Sequence, residues 1–560
     1  MKYALSATQM KQADRNTIDH FGVASLVLQE RAALAVCAQI DDGKNRPVPR
    51  GVAAGDVMLY AGCGNNGADA LAAARILHLR GYRTRVRTVG NREKATDEFR
   101  AQLRSAEAYG IPVRQFDATE PVREEDAVPE AVIDGLLGVG ISRAPEGAMA
   151  DAIREINRLR ENGARVIAID LPSGVNADDG TVYGEAVTAD VTVTFGFMKT
   201  GQLLFPGSTC CGKTEVADIG ITEESLLTGA PEAVVPDAFY YRHVTELPLP
   251  ARRADGNKGT FGKVLFVCGS ARMGGAAILS AKAALKSGCG MVRVFTAKEN
   301  RDALLAAIPE AIIDVYDASV FDGDAEGGSA GAGAVLRALE DAADWADAVV
   351  CGCGLDTNDA ACALLRKLLN LRKKPLILDA DALNLLADDG TDLAEAACAY
   401  AEMTKDVCRP LILTPHAGEF CRLYNRMFRT SLAVSDCKQR VKELTRALAG
   451  KTGAIVLFKD ARSIAAGADE PLYINVSGND GMATAGSGDV LAGLCGALVA
   501  YSRGKSAYTD TCAAAFLHGA AGDLAAGRAG KRALTAGLLA DALEDVLRAA
   551  DAESTGAFVA

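Results

Sequence analysis

A glycine-rich turn in the last fifth of the chain carries its clearest chemical pattern. Gly486, Ser487, Gly488 and Asp489 precede an apolar run, Val490–Tyr501, that is typical of a buried helix. Such a turn leaves backbone N–H groups unpaired at the positive end of the helix dipole, where they can bind a phosphate. Asp489 lies where a general base is needed if a hydroxyl attacks that phosphate. The pattern indicates phosphoryl transfer, although a simple loop and N-cap before a buried helix has the same composition.

Other strand ends of the second half carry small or polar residues. Gly354 follows a strand predicted at Ala348–Cys351, and His416 follows one at Leu411–Thr414. Lys459 ends a third strand and suits a nucleotide phosphate, although a lysine there can also be merely solvated. Because the whole chain has only five histidines, we expect His416 to contact a ligand rather than only complete a turn.

The first half contains a strand, a tight glycine turn and a helix. Residues 62–67 formally match the dinucleotide-binding pattern G-x-G-x-x-G. That pattern requires an acidic residue at the end of the next strand, but Arg83–Val89 is followed by Gly90, Asn91 and Arg92. The sequence therefore argues against a nicotinamide-dependent dehydrogenase.

Oxygen-bearing side chains follow three strands of the first half. Asn66, Asp134 and Ser173 meet at one point if their strands are adjacent, and their oxygens suit a hard cation rather than zinc. Asp170 remains available to contact a substrate or to act as a base. Taken singly, each of these residues is more often a helix cap or a turn residue. Three such strand ends in one half favour a site.

The elements that position these residues alternate along both halves. Short runs rich in Val, Ile and Leu are followed by longer helical patterns, which predicts a mostly parallel sheet in each half. The predicted strands are Val57–Ala61, Arg83–Val89, Ala131–Asp134, Arg165–Asp170, Val191–Phe195, Lys263–Cys268, Met291–Phe295, Ala348–Cys351, Pro375–Asp379, Leu411–Thr414 and Ala454–Lys459. Proline and aromatic residues in Thr228–Lys258 predict a domain boundary near residues 228–238. Asp322–Gly333 is predicted to be a flexible surface loop.

Length and composition limit the function classes. A chain of 560 residues is too long for one core, and a net charge of -12 argues against a nucleic-acid-binding surface. No apolar run is long enough for a membrane span, and residues 1–19 lack a signal-peptide core. The 15 cysteines lack zinc-type spacing, so we expect reduced, mostly buried thiols in a cytoplasmic protein.

The first half resembles the NAD(P)H-hydrate epimerase domain. The resemblance rests on residues 65–69, on Asp134 with its glycine-rich loop, and on residues 170–174. It implies a potassium ion held by Asn66, Asp134 and Ser173. The substrate contacts that it implies are Asn65, Asn66, Gly67, Ala68, Asp69, Gly138, Val139, Gly140, Ile141, Ser142, Arg143, Ala144 and Asp170, and we expect Asp170 to be catalytic.

One departure from that domain concerns the turn after the first strand. Ala68 and Ala70 stand where the family usually has glycine. Their methyl groups would interfere if either position required a positive φ or a close approach of the backbone to a ligand.

The second half resembles the ribokinase-like superfamily and, within it, the ADP-dependent NAD(P)H-hydrate dehydratase. The specific motifs are residues 413–419 around His416 and the block 475–491 that contains Asp489. Sugar kinases of the superfamily share the Gly-x-Gly-Asp turn but not the strand end around His416. Two departures are Asp460, which adds a negative charge where glycine is usual, and Ala485-Gly-Ser487, where Gly-Gly-Met is common.

This second resemblance implies ADP as the nucleotide, usually with Mg²⁺, and Asp489 as the base. The implied contacts to the hydrated substrate are Ala276, Gly354, His416 and Asp489. The implied nucleotide contacts are Lys459, Asp460, Ala461, Arg462, Ser463, Gly486, Ser487 and Gly488.

The order of the two parts is that of the bifunctional NAD(P)H-hydrate repair enzymes. We expect a Rossmann-like three-layer α/β/α domain at residues 1–230 and a ribokinase-like α/β domain at 238–553. The resemblance implies that the first domain interconverts the R and S forms of hydrated NADH and NADPH (NADHX and NADPHX). It implies that the second phosphorylates the S hydroxyl with ADP and releases phosphate, giving NAD(P)H and AMP. We also expect a homo-oligomer.

Two alternatives remain at this point. The second half could be a small-molecule kinase that acts on a vitamin precursor with ATP and leaves a stable phosphorylated product. The first half could be a non-catalytic binding domain. Residues 413–419 argue against the kinase, and the retained Asn66, Asp134, Asp170 and Ser173 argue against the binding domain.

Overall fold

The computed structural model describes residues 1–41, 55–118, 128–322 and 328–554. It divides into two compact units, Tyr3–Ala238 and Phe239–Ala560, the second also including Met1–Lys2. The functional limits 1–230 and 238–553 stay a prediction.

The N-terminal unit is built on a parallel sheet. From edge to edge its strands are Val113–Gln115, Arg83–Val89, Asp56–Gly62, Ala131–Gly135, Arg165–Ile169, Val191–Phe195 and Lys213–Ala217. Lys2–Leu5 and Met198–Lys199 form a short parallel pair. The helices are Ala7–Arg15, Asn16–His20 (a π-helical turn), Ser25–Asp41, Asn65–Leu79, Asp97–Ala108, Ala148–Glu161, Thr200–Leu203 and Gly207–Cys210.

Both faces of this sheet are covered. In strand Asp56–Gly62, Val57, Leu59 and Ala61 join one apolar cluster, whereas Met58 and Tyr60 join another. Because alternate residues of a strand point to opposite faces, a strand buried on both faces must be continuously apolar. That requirement explains why the sequence reveals this strand so clearly.

The C-terminal unit has a longer sheet that is mostly parallel. Its strands lie in the order Ile312–Tyr316, Met291–Ala297, Lys263–Val267, Ala348–Cys351, Leu376–Leu378, Leu411–Leu413, Ile455–Phe458, Ile464–Ala466, Leu472–Ile474 and Ala238–Tyr240. The strands from Ile312–Tyr316 to Ile455–Phe458 pair in parallel, and Ile464–Ala466 pairs antiparallel with both of its neighbours. The helices are Gly274–Lys286, Arg301–Ala307, Gly328–Trp345, Asp359–Leu371, Asp381–Leu386, Leu393–Thr404, Ala417–Phe428, Val434–Gln439, Val441–Thr452, Ser487–Ser502, Ala507–Ala529 and Ala536–Ser554.

The predicted fold class, two α/β parts with mostly parallel sheets, is confirmed. Every strand predicted from the sequence is present to within a residue or two. The surface loop predicted at Asp322–Gly333 is wrong in its second half, because a helix begins at Gly328. Alanines alternate with the glycines there and lead into an amphipathic segment, which extends the helix backwards. Residues 323–327 lie outside the described part of the chain.

Two further observations concern exposure. Within the described residues, no helix is both long enough and apolar enough to cross a membrane. The 15 cysteines are free thiols, and most of them are buried.

Candidate functional site

The three residues predicted to bind a cation, Asn66, Asp134 and Ser173, meet at the end of the N-terminal sheet. Asp134 is fully buried; its Oδ1 accepts from the Ser173 hydroxyl at 2.7 Å and its Oδ2 accepts from the Ser173 amide at 2.8 Å. The Ser173 hydroxyl oxygen also accepts from the Leu137 amide at 2.9 Å. The Asn66 side-chain amide donates to the Leu137 carbonyl at 3.0 Å. The loop after Asp134 thus ties the three residues together.

The Asp134 carboxylate is buried, which disfavours its charged form. Burial raises its pKa to about 6, although hydrogen bonds from Ser173 and Leu136 act in the opposite direction. Amide, carboxylate and hydroxyl oxygens with a single negative charge form a donor set that fits a hard monovalent cation.

The glycine turn around Asn66, from Gly62 to Gly67, is shaped by close backbone packing. A Cβ on Gly67 would lie 1.7 Å from the Gly62 carbonyl oxygen, and one on Gly62 would lie 1.9 Å from the Leu136 carbonyl oxygen. Neither Ala68 nor Ala70 has a positive φ, and both are fully buried in the core cluster on one face of the sheet. Their methyl groups therefore occupy the core. Neither alanine has a positive φ, so the backbone at these two positions is not strained by a residue other than glycine.

Asp170 is paired with a lysine that the sequence did not single out. Asp170 has φ +63° at the end of its strand, and its carboxylate accepts from the ammonium of Lys199. Lys199 is fully buried and also donates to the Thr194 hydroxyl at 2.9 Å. The Asp170 carboxylate retains partial exposure, with 13% of its side chain accessible. A buried ammonium is therefore paired with a carboxylate that remains accessible.

Two further carboxylates lie near Asp170. Burial raises the pKa of Asp69 well above its usual range, and the charges of Asp170 and Asp14 raise it further. Burial likewise raises the pKa of Asp14, with Asp170 adding to the effect and Lys199 opposing it. Three carboxylates, Asp14, Asp69 and Asp170, thus interact with one another close to the Lys199 ammonium.

The remaining residues predicted in this half are more open to solvent. Asn65 is exposed at the start of helix Asn65–Leu79. The loop after Asp134 runs over the surface and includes Gly138, Val139, Gly140, Ile141, Ser142, Arg143 and Ala144, of which Gly140 and 142–144 are exposed. This loop and the turn at residues 65–69 follow neighbouring strands, so they border the same end of the sheet.

In the C-terminal unit, Asp489 lies in the first turn of helix Ser487–Ser502. The N-cap Gly486 has φ +87°, a left-handed conformation that suits glycine. The Asp489 carboxylate, the Asp379 carboxylate and the Cys353 thiol lie within 4.8 Å of one another. Burial raises the pKa of Asp489 to about 6; the charge of Asp379 raises it further, whereas a hydrogen bond from Cys353 and the charge of Lys459 lower it.

Lys459 is neither solvated nor directed outward. Its ammonium donates to Asp379, whose carboxylate also accepts from the Thr414 hydroxyl at 2.8 Å. Burial acts to lower the pKa of Lys459, but Asp379 and Glu419 outweigh it and raise the pKa above its usual range. A Cβ on Gly488 would lie 3.3 Å from the Lys459 nitrogen. The cation therefore lies directly beneath the helix N-terminus.

His416 is the N-cap of helix Ala417–Phe428. Its Nδ1 accepts from the Gly418 amide at 3.0 Å, and its Nε2 lies 3.2 Å from Glu419 Oε1. Acceptance at Nδ1 places the ring proton on Nε2, facing Glu419. The imidazole remains 56% exposed. His416 therefore completes the turn as an N-cap, and the exposed part of its imidazole ring leaves room for a ligand.

Gly354 and Ala276 are packed closely against each other. Gly354 has φ +60°, and a Cβ on it would lie 2.9 Å from the Ala276 methyl and 2.8 Å from Met273 Cβ. The Ser270 amide donates to the Gly354 carbonyl at 2.6 Å. Only glycine allows this approach between the two loops.

The segment after Lys459 forms a turn between two antiparallel strands and contains Asp460, Ala461, Arg462 and Ser463. The Asp460 carboxylate is paired with Lys438 at 2.9 Å. The extra negative charge expected at Asp460 is therefore compensated locally.

A buried histidine, His518, contacts Ser487 in the glycine turn before Asp489. His518 Nε2 lies 2.9 Å from the Ser487 carbonyl and 3.3 Å from the Ser487 hydroxyl. Burial lowers the pKa of His518 to about 4, and the charge of Lys459 acts in the same direction. A neutral His518 donates to the Ser487 carbonyl and fixes the turn. No sequence pattern predicts this contact, because His518 lies inside a continuous helix.

Comparison with known proteins decides the family. The family model described as NAD(P)H-hydrate dehydratase matches residues 264–545, and that described as YjeF-related protein N-terminus matches residues 25–201. The bifunctional NAD(P)H-hydrate repair enzyme Nnr of Thermofilum pendens is 34% identical over 97% of this chain and 95% of its own. The chain belongs to the family of bifunctional NAD(P)H-hydrate repair enzymes. The relative from Moorella thermoacetica, with the same name, is 34% identical over 98% of this chain and 97% of its own.

Membership of the bifunctional repair enzymes confirms the predicted resemblance and the prediction that the chain is an enzyme. Among solved structures, the ADP/ATP-dependent NAD(P)H-hydrate dehydratase of Bacillus subtilis is 25% identical, with a TM-score of 0.42 over 55% of this chain and 95% of its own. A ribokinase-like superfamily protein of Enterococcus faecalis is 24% identical, with a TM-score of 0.44 over 57% and 98%. At these scores the likenesses carry no residue roles.

Proposed function

We propose that the chain repairs hydrated NADH and NADPH in two steps. Residues 1–230 interconvert the R and S forms, and residues 238–553 dehydrate the S form at the expense of ADP, giving NAD(P)H, AMP and phosphate. The observation that carries the proposal is the position of Asp489, a half-buried carboxylate in the first turn of a helix that follows a glycine turn. That placement supplies a base and an anion site within one turn of the chain.

In the epimerase half, Asp170 is the proposed catalytic base. The ammonium of Lys199 is paired with its carboxylate, and the neighbouring Asp69 has a pKa raised well above its usual range by burial. The turn at Asn65–Asp69 and the loop at Gly138–Ala144 are the proposed substrate contacts. Asn66, Asp134 and Ser173 would hold K⁺, which would fix the loop after Asp134 and neutralise its buried charge.

In the dehydratase half, Asp489 takes the proton from the S hydroxyl as that oxygen attacks the terminal phosphate of ADP. The amides of the turn Gly486–Gly488 and the first helical turn stabilise the charge on the transferring group. Residues 459–463, with Gly486, Ser487 and Gly488, are the proposed nucleotide contacts. Ala276, Gly354 and His416 are the proposed contacts to the hydrate.

Mg²⁺ is proposed to enter with the phosphates of ADP, as this ion commonly does in phosphoryl-transfer sites, and would neutralise phosphate charge. The group formed by Cys353, Asp379 and Asp489 is not a fitting magnesium cage. A thiol is a soft ligand, and the Asp379 carboxylate is already paired with Lys459. Cytoplasmic location and a homo-oligomeric state are further proposals that rest on the sequence alone.

Phosphorus NMR tests the dehydratase proposal. Purified protein with Mg²⁺, ADP and S-hydrate should yield AMP and inorganic phosphate in equal amounts, with no lasting phosphorylated product. Without the hydrate, ADP should persist. A stable phosphomonoester formed from ATP and a small alcohol would instead support the kinase alternative.

A further inference from the structure

Glu419 is a buried carboxylate that contacts both the backbone and the imidazole of His416. Only 6% of the Glu419 side chain is accessible, whereas 56% of the His416 side chain is. Glu419 Oε2 accepts from the His416 backbone amide at 2.9 Å, and Glu419 Oε1 lies 3.2 Å from His416 Nε2. The two oxygens of one carboxylate therefore serve the main chain and the ring of the same residue.

Both ring nitrogens of His416 are occupied within the protein. Nδ1 accepts from the Gly418 amide at 3.0 Å, so the neutral ring carries its proton on Nε2. The Nε2–H group then donates to Glu419 Oε1. Because neither nitrogen is free, a ligand at the exposed part of the ring meets its face or a carbon edge.

The Glu419 carboxylate is suited to accept at both oxygens. Burial acts to raise its pKa, but the hydrogen bond from His416 and the charge of Lys459 outweigh burial and lower the pKa. An ionised carboxylate has only acceptors, so it can serve the backbone amide and the ring at once. The ammonium of Lys459 donates to Asp379, whereas the hydrogen bonds to the Glu419 carboxylate come from His416.

We propose that Glu419 is a positioning residue of the hydrate site, which holds the His416 ring as the Nε2–H tautomer in one orientation, with its exposed surface presented to the hydrate. The inference rests on the proposed dehydratase function and deepens it. No covalent bond changes and no proton moves, so His416 recognises the hydrate by contact and not as an acid or base. A ring fixed before binding loses less conformational freedom when the hydrate binds.

A capping role alone would not involve the ring. Helix Ala417–Phe428 begins with a capping box, and in such boxes glutamine serves as glutamate does. In Glu419→Gln the amide oxygen can keep the bond to the His416 backbone amide. The NH₂ group then faces Nε2–H, donor against donor, and the ring loses its acceptor. The substitution therefore separates the cap from the positioning of the ring.

The test is the steady-state turnover of S-hydrate by Glu419→Gln, with Mg²⁺ and saturating ADP. We expect the KM for the hydrate to rise about tenfold while kcat changes less than about threefold, because a mobile ring weakens binding of ground state and transition state alike. In a His416→Ala background the same substitution should leave this KM unchanged, since Glu419 acts through the ring.

Asp436→Asn is the matched control. The Asp436 carboxylate accepts from the Ala433 amide at 2.9 Å in the capping box of helix Val434–Gln439, where the N-cap residue is an alanine. The same change from acid to amide there removes a charge from a cap without affecting an imidazole, so the KM for the hydrate should not change.

The outcomes separate the inference from the function beneath it. If the unmodified protein does not turn over S-hydrate, the proposed function fails and the inference fails with it. If the protein is active but Glu419→Gln has an unchanged KM, or raises it equally in the His416→Ala background, the inference alone is contradicted. Should Glu419→Gln not fold, ¹⁵N-histidine NMR of the unmodified protein at alkaline pH decides, with His416 assigned from the signals missing in His416→Ala. A protonated Nε2 with a bare Nδ1 supports the inference, and the opposite tautomer contradicts it.

Discussion

Lys459 forms a buried ion pair with Asp379 beneath the helix that carries Asp489. Only 16% of the lysine side chain and 2% of the aspartate side chain are exposed. The pair places one positive charge close to the glycine turn. It also occupies Asp379, one of the two carboxylates there, the other being Asp489. Asp489 is left as the carboxylate that can accept a proton.

Breaking this pair should destabilise the C-terminal unit. Lys459→Met leaves the Asp379 carboxylate buried without its cation, and we expect a loss of about 3–5 kcal/mol in the free energy of unfolding. Trp345, the only tryptophan, lies in this unit, so its fluorescence during urea unfolding reports on it alone. The double variant Lys459→Met with Asp379→Asn should recover part of the loss; no recovery would mean that the pair is not the cause.

Asp489→Asn should abolish dehydratase turnover, with a loss of about 10²–10⁴-fold. In the unmodified protein the base works only when ionised, and its pKa is raised to about 6. Turnover should therefore fall as the pH drops through about 6. Asp510→Asn is the control, because Asp510 is also buried, with its pKa raised to about 7, but bonds to Ser502 outside the site. An acid limb that moves with Asp510 rather than Asp489 would refute the assignment.

Lys199→Met should impair the epimerase half selectively. The substitution removes the buried cation that is paired with the Asp170 carboxylate, and we expect the R-hydrate to be consumed about 10²-fold more slowly while S-hydrate turnover is unchanged. Lys213→Met, which removes an exposed lysine of the same unit, serves as control. Equal slowing of both phases would point to a general folding defect instead.

Potassium replacement should affect the same phase. If Asn66, Asp134 and Ser173 hold K⁺, exchanging it for tetramethylammonium should slow R-hydrate consumption about 10-fold or more. Asp134→Asn should be slow in either salt. A rate that is independent of the cation would contradict the proposed site.

His518 should make the C-terminal unit less stable at acid pH. Its pKa is about 4 in the folded protein against an ordinary value of 6.5, so below pH 6.5 the unfolded chain binds a proton that the folded chain excludes. Relative to His518→Gln, the unmodified protein should lose about 2 kcal/mol between pH 8 and pH 5. The difference between the two proteins is the informative quantity, because the raised pKa values of Asp489 and Asp510 act in the opposite direction. Equal pH dependence in both would contradict a neutral, buried histidine.

The central strands could be predicted because burial on both faces leaves a continuous apolar run. Edge strands lack that signal. Lys213–Ala217 begins with an exposed lysine, and Ile312–Tyr316 is only partly buried, so neither was predicted. Propensity alone does not separate such segments from loops.

The parts of the site that lie within one short segment of the chain could be predicted from the sequence. The three residues proposed to bind a cation each lie in a short strand-end motif, and so do the turn before Asp489 and the strand end at His416. Lys199 and His518 were missed, because each matters through a partner more than 25 residues away and sits in an ordinary helical or strand context. The pairing of Lys459 with Asp379, 80 residues apart, belongs to the same class.

The most direct test of the two-step repair mixes the purified protein with an R/S mixture of hydrated NADH, Mg²⁺, K⁺ and ADP. The return of reduced-nicotinamide absorbance is then followed. We predict complete recovery in the unmodified protein, and, for Asp170→Ala, recovery that stops at the S fraction and then continues only at the spontaneous rate of epimerisation. No recovery with either ADP or ATP would contradict the dehydratase assignment and with it the account as a whole.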